Sequence, residues 1–255
     1  MSFPATIMQI GLGRQALASN MCGFGTNAMD RSFHNHILIL QERYRDPLLT
    51  VLTVLLLFLM FVVAPLQAAG MVAFETVGFV IAFMMIGGGL IISASPIAFS
   101  VLLIALLMNL VAAVLRISAP SSLDTFLVSG AWLLLAITLG WIVACAVFSP
   151  GRINYHRVVG AILLYLLIGM TFVSFFVFIG LLVPKAFSGV AVADTTALAS
   201  NLIYFSFVTL TSTGYGEIVP LHPIARSLCN LESIIGQLYP ATLLARLVTL
   251  EISGH

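Results

Sequence analysis

Apolar residues gather in six long runs separated by short polar breaks, at 47–69, 72–92, 96–117, 124–148, 157–183 and 223–250. A helix needs about 20 mostly apolar residues to cross a bilayer, so each run is long enough. Turn residues fill the breaks: SASP before the third run, SAPSS before the fourth and SPGR before the fifth. The first 46 residues are mixed in character, with Arg14, Arg31, Arg43 and Arg45, and read as a leader. One stretch fits none of these patterns. Between the last two runs lies SGVAVADTTALASNLIYFSFVTL, too weakly apolar and too short after its turn to cross again. With Asp194 or Thr195 as its cap, it predicts a helix over 196–210 that enters the membrane and stops halfway. TSTGYGE follows at 211–217, too polar and glycine-rich for a spanning helix. Non-helical backbone at membrane depth persists only where it is buried in protein or lines a water-filled path.

Composition agrees with this layout. Hydrophobic residues make up 61% of the chain and charged residues 7%, against about 25% charged in soluble domains. So few charges do not cover a water-facing surface, and an all-α membrane protein follows. A net charge of +1 leaves no basic patch for phosphates, which excludes a nucleic-acid partner. Lysine and arginine in the short loops set the orientation. Placing the leader in the cytoplasm puts Arg14, Arg31, Arg43, Arg45, Arg152, Arg157 and Arg246 inside, and Arg116, Lys185 and Arg226 outside. Both termini are then cytoplasmic, in a multi-pass plasma or inner membrane protein. Histidines, acids and cysteines are too few and scattered for a catalytic constellation, so no enzyme and no cofactor are expected. The His34 and His36 pair lacks nearby acid or thiol ligands and does not read as a metal site.

The chemistry of the 211–217 stretch is replacement of an ion's water shell. Carbonyls of Thr211, Ser212, Thr213, Gly214, Tyr215 and Gly216 can stack as oxygen rings, with the Ser212 hydroxyl at the inner end. Turning successive carbonyls to one side requires φ > 0, which Gly214 and Gly216 reach without steric cost. One chain supplies one wall, and four copies around an axis supply the ring.

These residues resemble the pore of the potassium channel family, over roughly residues 157–251. The family pattern is Thr-Val-Gly-Tyr-Gly-Asp. Here Ser212 stands for the threonine, Thr213 for the valine and Glu217 for the aspartate, while Gly214, Tyr215 and Gly216 match. The resemblance implies a homotetramer in lipid that conducts K+ as a permeant ion. It also implies that Tyr204 donates a hydrogen bond to Glu217 and steadies the filter, and that Val208 replaces a glutamate found in some members. The half-helix is expected to turn its carbonyl end toward the pore, where the partial negative charge favours a cation.

In the last run Gly236 lies mid-span, and Pro240 lacks the N–H that the Gly236 carbonyl would accept. The helix is expected to bend there, and the resemblance makes Gly236 a gating hinge. It also places Gln237, Leu244 and Val248 along a water-filled cavity. Glu232, an acid at membrane depth, is expected behind the half-helix. The fourth run, DTFLVSGAWLLLAITLGWIVACAVF, carries no lysine or arginine. Each charge crossing the field gains roughly 2.3 kcal/mol per 100 mV, so a helix without charges is no voltage sensor. Glu75 and Arg116 fall at similar depth and are expected to pair.

The expected organisation is a leader (1–46), a four-helix peripheral domain (47–150) and a pore domain (151–255). The pore domain has an outer helix, a re-entrant pore helix, a filter and an inner helix. The expected function is potassium-selective passive conduction without strong voltage gating, any soluble regulator being a separate protein or using the leader. The alternatives are a non-conducting sensor or structural partner that keeps the pore fold, and a less selective monovalent cation channel.

Overall fold

A computed structural model describes residues 48–63, 65–66, 87, 96–118, 122–148, 155–190 and 195–253. The leader with its His34 and His36, and the second apolar run with Glu75 (Gly87 apart), lie outside the described residues.

The described helices follow the apolar runs. Helix α1 covers Leu48–Val63, with a π-helical last turn at Leu59–Val63. Helices α2 (Pro96–Ser118), α3 (Ser122–Phe148) and α4 (Tyr155–Leu182) come next. Strand β1 (Phe187–Ser188), helix α5 (Thr195–Leu210), strand β2 (Val219–Pro220) and helix α6 (Pro223–Ser253) complete the order. SASP ends on Pro96, the first residue of α2, where Pro needs no partner for its missing N–H, and SAPSS ends on Ser122, the first residue of α3.

Among the described residues, three helices are long and apolar enough to span by length and composition: Ile97–Arg116, Ser122–Phe148 and Val158–Leu182. The chain is a membrane protein with several candidate spans. The described stretch of helix α1, Leu48–Val63, is apolar. Helix α6 is the longest described helix, at 31 residues or about 46 Å. It carries Arg226, Glu232, Gln237, Arg246 and Glu251 along its length.

Packing runs in series. Helix α2 lies on α3, α3 on α4, α4 on α5 and α6, and α5 on α6. Helix α1 joins the core through Leu49, Leu52, Leu56 and Met60. Phe176 on α4 is fully buried at the centre of an aromatic cluster. Its ring lies 5.1 Å from that of Phe205 on α5 and 5.9 Å from that of Phe187 on β1. Edge-to-face geometry suits these rings and fixes orientation as well as contact.

Two departures from the sequence reading concern polar details. Strands β1 and β2 form a two-residue antiparallel ladder, Phe187 opposite Pro220 and Ser188 opposite Val219, inside an otherwise helical chain. It clips the loop after α4 to the segment after the filter. Arg116 pairs with Asp124, Nε to Oδ2 at 2.8 Å, across the α2–α3 turn. The expected partner Glu75 lies outside the described residues; among those described, Arg116 pairs with a residue eight positions away. A carboxylate at the first turn of α3 is close in sequence, and the helix N-terminus favours its charge.

Candidate functional site

Helix α5 and the strand-like segment after it form the centre of the site. The helix starts at Thr195 and ends at Leu210, one residue from the expected start. The last four carbonyls of a helix have no partner within it. Here all four are engaged. The Thr211 N–H bonds the Phe207 carbonyl at 3.0 Å, and the Thr213 and Gly214 N–H groups bond that of Val208 at 2.9 and 3.3 Å. The Thr209 carbonyl accepts from the Ser212 N–H at 2.9 Å and from the Ser233 hydroxyl of α6 at 3.1 Å. The Leu210 carbonyl accepts from the Tyr165 hydroxyl of α4 at 3.4 Å. The carbonyl end of the half-helix is therefore hydrogen-bonded throughout. Its end is a socket that grips the following segment.

That grip consumes donors and leaves acceptors. Among the described residues, no carbonyl of 211–216 accepts a hydrogen bond. Left-handed backbone recurs at every second residue: φ is +55° at Ser212, +58° at Gly214 and +83° at Gly216. A Cβ added at Gly214 or Gly216 would meet nothing within 4 Å, so these glycines serve the backbone conformation and not space within the chain. Ser212 reaches the same region without being glycine, at a cost of about 1–2 kcal/mol. The sequence reading assigned left-handed positions only to the glycines.

Three side-chain braces hold the segment at different heights. At the inner end, the Gln237 Nε2–H of α6 donates to Ser212 Oγ at 3.0 Å. In the middle, Thr211 Oγ1 donates to the Phe207 carbonyl at 2.7 Å and lies 2.8 Å from Thr213 Oγ1. With its own proton committed, Thr211 accepts the one from Thr213. The polar group that replaces valine at 213 is thereby satisfied within the chain. At the outer end, the Tyr204 hydroxyl donates to Glu217 Oε2 at 3.1 Å, the bond expected from sequence. The Tyr204 ring also lies parallel to that of Tyr215, at 6.3 Å and 4°. Val208 contributes its backbone carbonyl.

Helix α6 backs the site. Gly236 lies against α5, where an added Cβ would collide with the Leu210 carbonyl oxygen. Close approach is thus a second demand on this glycine, beside the hinge role expected of it. The helix runs unbroken through Pro240. Next to that proline, the Tyr239 hydroxyl donates to the Ala161 carbonyl of α4 at 2.8 Å, and its ring stacks on Tyr165. Leu244 is exposed on the single chain, and Val248 lies in the helix beyond the described side chains. Arg226 anchors the start of α6, donating to the Pro220 carbonyl at 3.0 Å.

Glu232 lies behind the half-helix, fully buried. Its Oε1 is 2.5 Å from Ser206 Oγ, which also lies 3.0 Å from the Gly169 carbonyl of α4. One side chain thus knots three helices together. Glu232 Oε2 is buried without a hydrogen-bond partner among the described residues. Ser206 and the Phe172–Phe176–Phe205 group were not singled out from sequence. The run FVSFFVF and the facing FSF hold the only signal, a repeated aromatic spacing on two neighbouring helices.

Deeper still, the Arg246 guanidinium donates from Nη2 to the Phe148 carbonyl at 2.8 Å and lies over the Phe148 ring at 4.8 Å. It joins the far end of α6 to the end of α3. Among the described residues no cluster of three or more His, Cys, Asp or Glu side chains could hold a metal ion.

A half-span helix, an irregular segment with unspent carbonyls and a long polar-faced helix define a membrane pore element. A family model described as "Ion channel" matches residues 176–252, under a third of the chain. The matched residues take in the end of α4, all of α5, the 211–217 segment and nearly all of α6. This part of the chain is an ion-channel pore domain, a class of protein that is not an enzyme. No curated protein and no solved structure matches the chain.

Proposed function

We propose that the chain is the subunit of a potassium-selective channel that conducts passively through a homotetrameric pore. One observation carries the reading. The N–H groups of Thr211, Ser212, Thr213 and Gly214 are tied to the half-helix while the carbonyls of 211–216 accept no hydrogen bond among the described residues, and the φ angles alternate in sign along the segment. The segment is exposed on the single chain; at membrane depth backbone acceptors without partners are costly, so oxygens kept free there need a ligand. A cation stripped of water is a ligand that oxygen rings satisfy. The match at Gly214, Tyr215 and Gly216 to the potassium channel pattern supports K+ as that cation.

Four copies follow from the same need, since one chain lines one wall. Leu231, Ile234 and Leu238 form an exposed stripe along α6 at helical spacing, which on this reading packs against the next copy. The polar face of α6 then meets the water-filled cavity, which accounts for its weak apolarity. Residues 1–46 form a cytoplasmic leader, 47–150 a peripheral domain without a voltage sensor and 151–255 the pore domain. Both termini face the cytoplasm. Gly236 and Pro240 provide the bend at which the inner ends part.

The test is flux. Protein reconstituted in K+-loaded vesicles with a proton ionophore is expected to release K+, with block by Ba2+ and loss in Gly214→Asp. Substituting Na+ should reduce the flux sharply. No flux across voltages, lipids and pH would favour a non-conducting partner that keeps the pore fold. Equal Na+ flux would favour a less selective cation channel.

A further inference from the structure

We infer that Gln237 is a selectivity-determining residue that acts through Ser212. The inference rests on the conduction reading above and names a residue outside the filter on which its ion preference depends.

The observations are local. Ser212 is a non-glycine residue held at φ +55° in a segment whose other left-handed positions are glycines. Serine does not hold that conformation unaided, so surrounding contacts must over-determine it. Two contacts do so: its N–H bonds the Thr209 carbonyl at 2.9 Å and its Oγ accepts from Gln237 Nε2 at 3.0 Å. The first comes from the half-helix and the second from α6, so the innermost oxygen donor is clamped between two helices. Gln237 is itself located by its neighbour, because Gly236 lies directly against the Leu210 carbonyl and sets the distance from α6 to the filter.

The chemistry follows from lone pairs. A serine hydroxyl has two acceptor sites and one proton. The amide N–H of Gln237 occupies one site and so fixes the rotation of the side chain. The second lone pair is then held in one direction for a cation. Without the amide, the hydroxyl rotates among its staggered positions and fits Na+ and K+ contacts with less discrimination. Rigidity at this oxygen is therefore supplied from α6 and not by the filter sequence. Gln237 is a positioning residue: it need not touch the ion in the filter.

Two variants separate this role from simple cavity polarity. Gln237→Asn keeps an amide at the same place but is one methylene too short for the 3.0 Å bond. Gln237→Met keeps length and removes the donor. In both, the K+-over-Na+ permeability ratio, read from reversal potentials of the reconstituted tetramer, is expected to fall about tenfold, a differential of about 1.4 kcal/mol. Conduction itself should persist. In a Ser212→Ala background, which keeps the filter's backbone oxygens, adding Gln237→Asn is expected to change the ratio less than about twofold, as coupled sites do. A ratio at the starting value in either assembled variant overturns the inference. So does a Gln237→Asn effect that persists at full size in Ser212→Ala. Failure of the conduction reading appears separately, as absence of K+ current in the unmodified protein.

Discussion

Helices α2 and α3 meet through apolar side chains and are tied at one end by the Arg116–Asp124 pair. Helices α4, α5 and α6 are tied along their whole contact. Tyr165 reaches Leu210, Ser206 reaches Gly169 and Glu232, Ser233 reaches Thr209, and Tyr239 reaches Ala161. The difference follows from the solvent. Lipid is as apolar as leucine, so apolar contact alone gives helices little reason to choose one orientation. A hydrogen bond between helices has one distance and one direction. The α4–α5–α6 part uses several such bonds, and they hold the segment after α5 in one position.

This comparison can be broken or sharpened by mutation, beginning where the expected effect is largest. Gly236→Ala drives a methyl into the Leu210 carbonyl. Backbone cannot step aside as a side chain can, so a loss of about 3 kcal/mol, the upper end for overpacking, is expected. Thermal unfolding in detergent measures it, and K+ flux should disappear with it. A tolerated alanine would mean that α6 does not need to lie so close to the filter.

Glu232→Ala comes next, with about 2–3 kcal/mol expected from opening a void and losing the Ser206 link between α5 and α6. Glu232→Gln should cost less than about 1 kcal/mol, because the amide keeps the shape and a partner for Ser206. Equal losses in the two variants would reduce the knot to mere packing. In the other half, Arg116→Met removes the ion-pair partner of the buried Asp124 carboxylate. The arginine is a third exposed, so the expected loss is about 1–2 kcal/mol and not the larger figure for a fully buried pair. Its effect should stay local. A change in ion selectivity would show that the peripheral helices shape the filter after all.

Arg246→Ala removes the one link described here between the far end of α6 and α3. Stability should hardly move, but the open probability in single-channel recording should change if that link restrains the splaying of α6. The smallest effect is expected at Tyr204→Phe, which deletes an exposed hydrogen bond to Glu217. The fold should be unaffected, and the readout is a shortened duration of conducting bursts.

Helix positions were legible because the membrane makes them so: a spanning run must be apolar over about 20 residues, and such runs are visible in the letters. The half-helix was legible for the opposite reason, being too short and too polar to cross. The Tyr204–Glu217 bond was legible through the potassium channel resemblance. Ser206, Phe176 and Phe205 were not, because an apolar run full of phenylalanine gives no sign of which ring faces which. The Arg116–Asp124 pair was missed because depth along a helix does not fix the direction of a side chain around it.

By itself the sequence determined the number of apolar runs, the place of the glycine-bearing segment and the absence of charge from the fourth run. Each of these depends on residue type against a fixed solvent, which needs no knowledge of neighbours. Only the tertiary structure decided that Ser212 adopts left-handed backbone beside two glycines, that Gln237 holds its hydroxyl, and that Gly236 is required for closeness while Gly214 and Gly216 are required for conformation. Those outcomes depend on how near two helices come, and that distance is set by contacts among residues far apart in the chain.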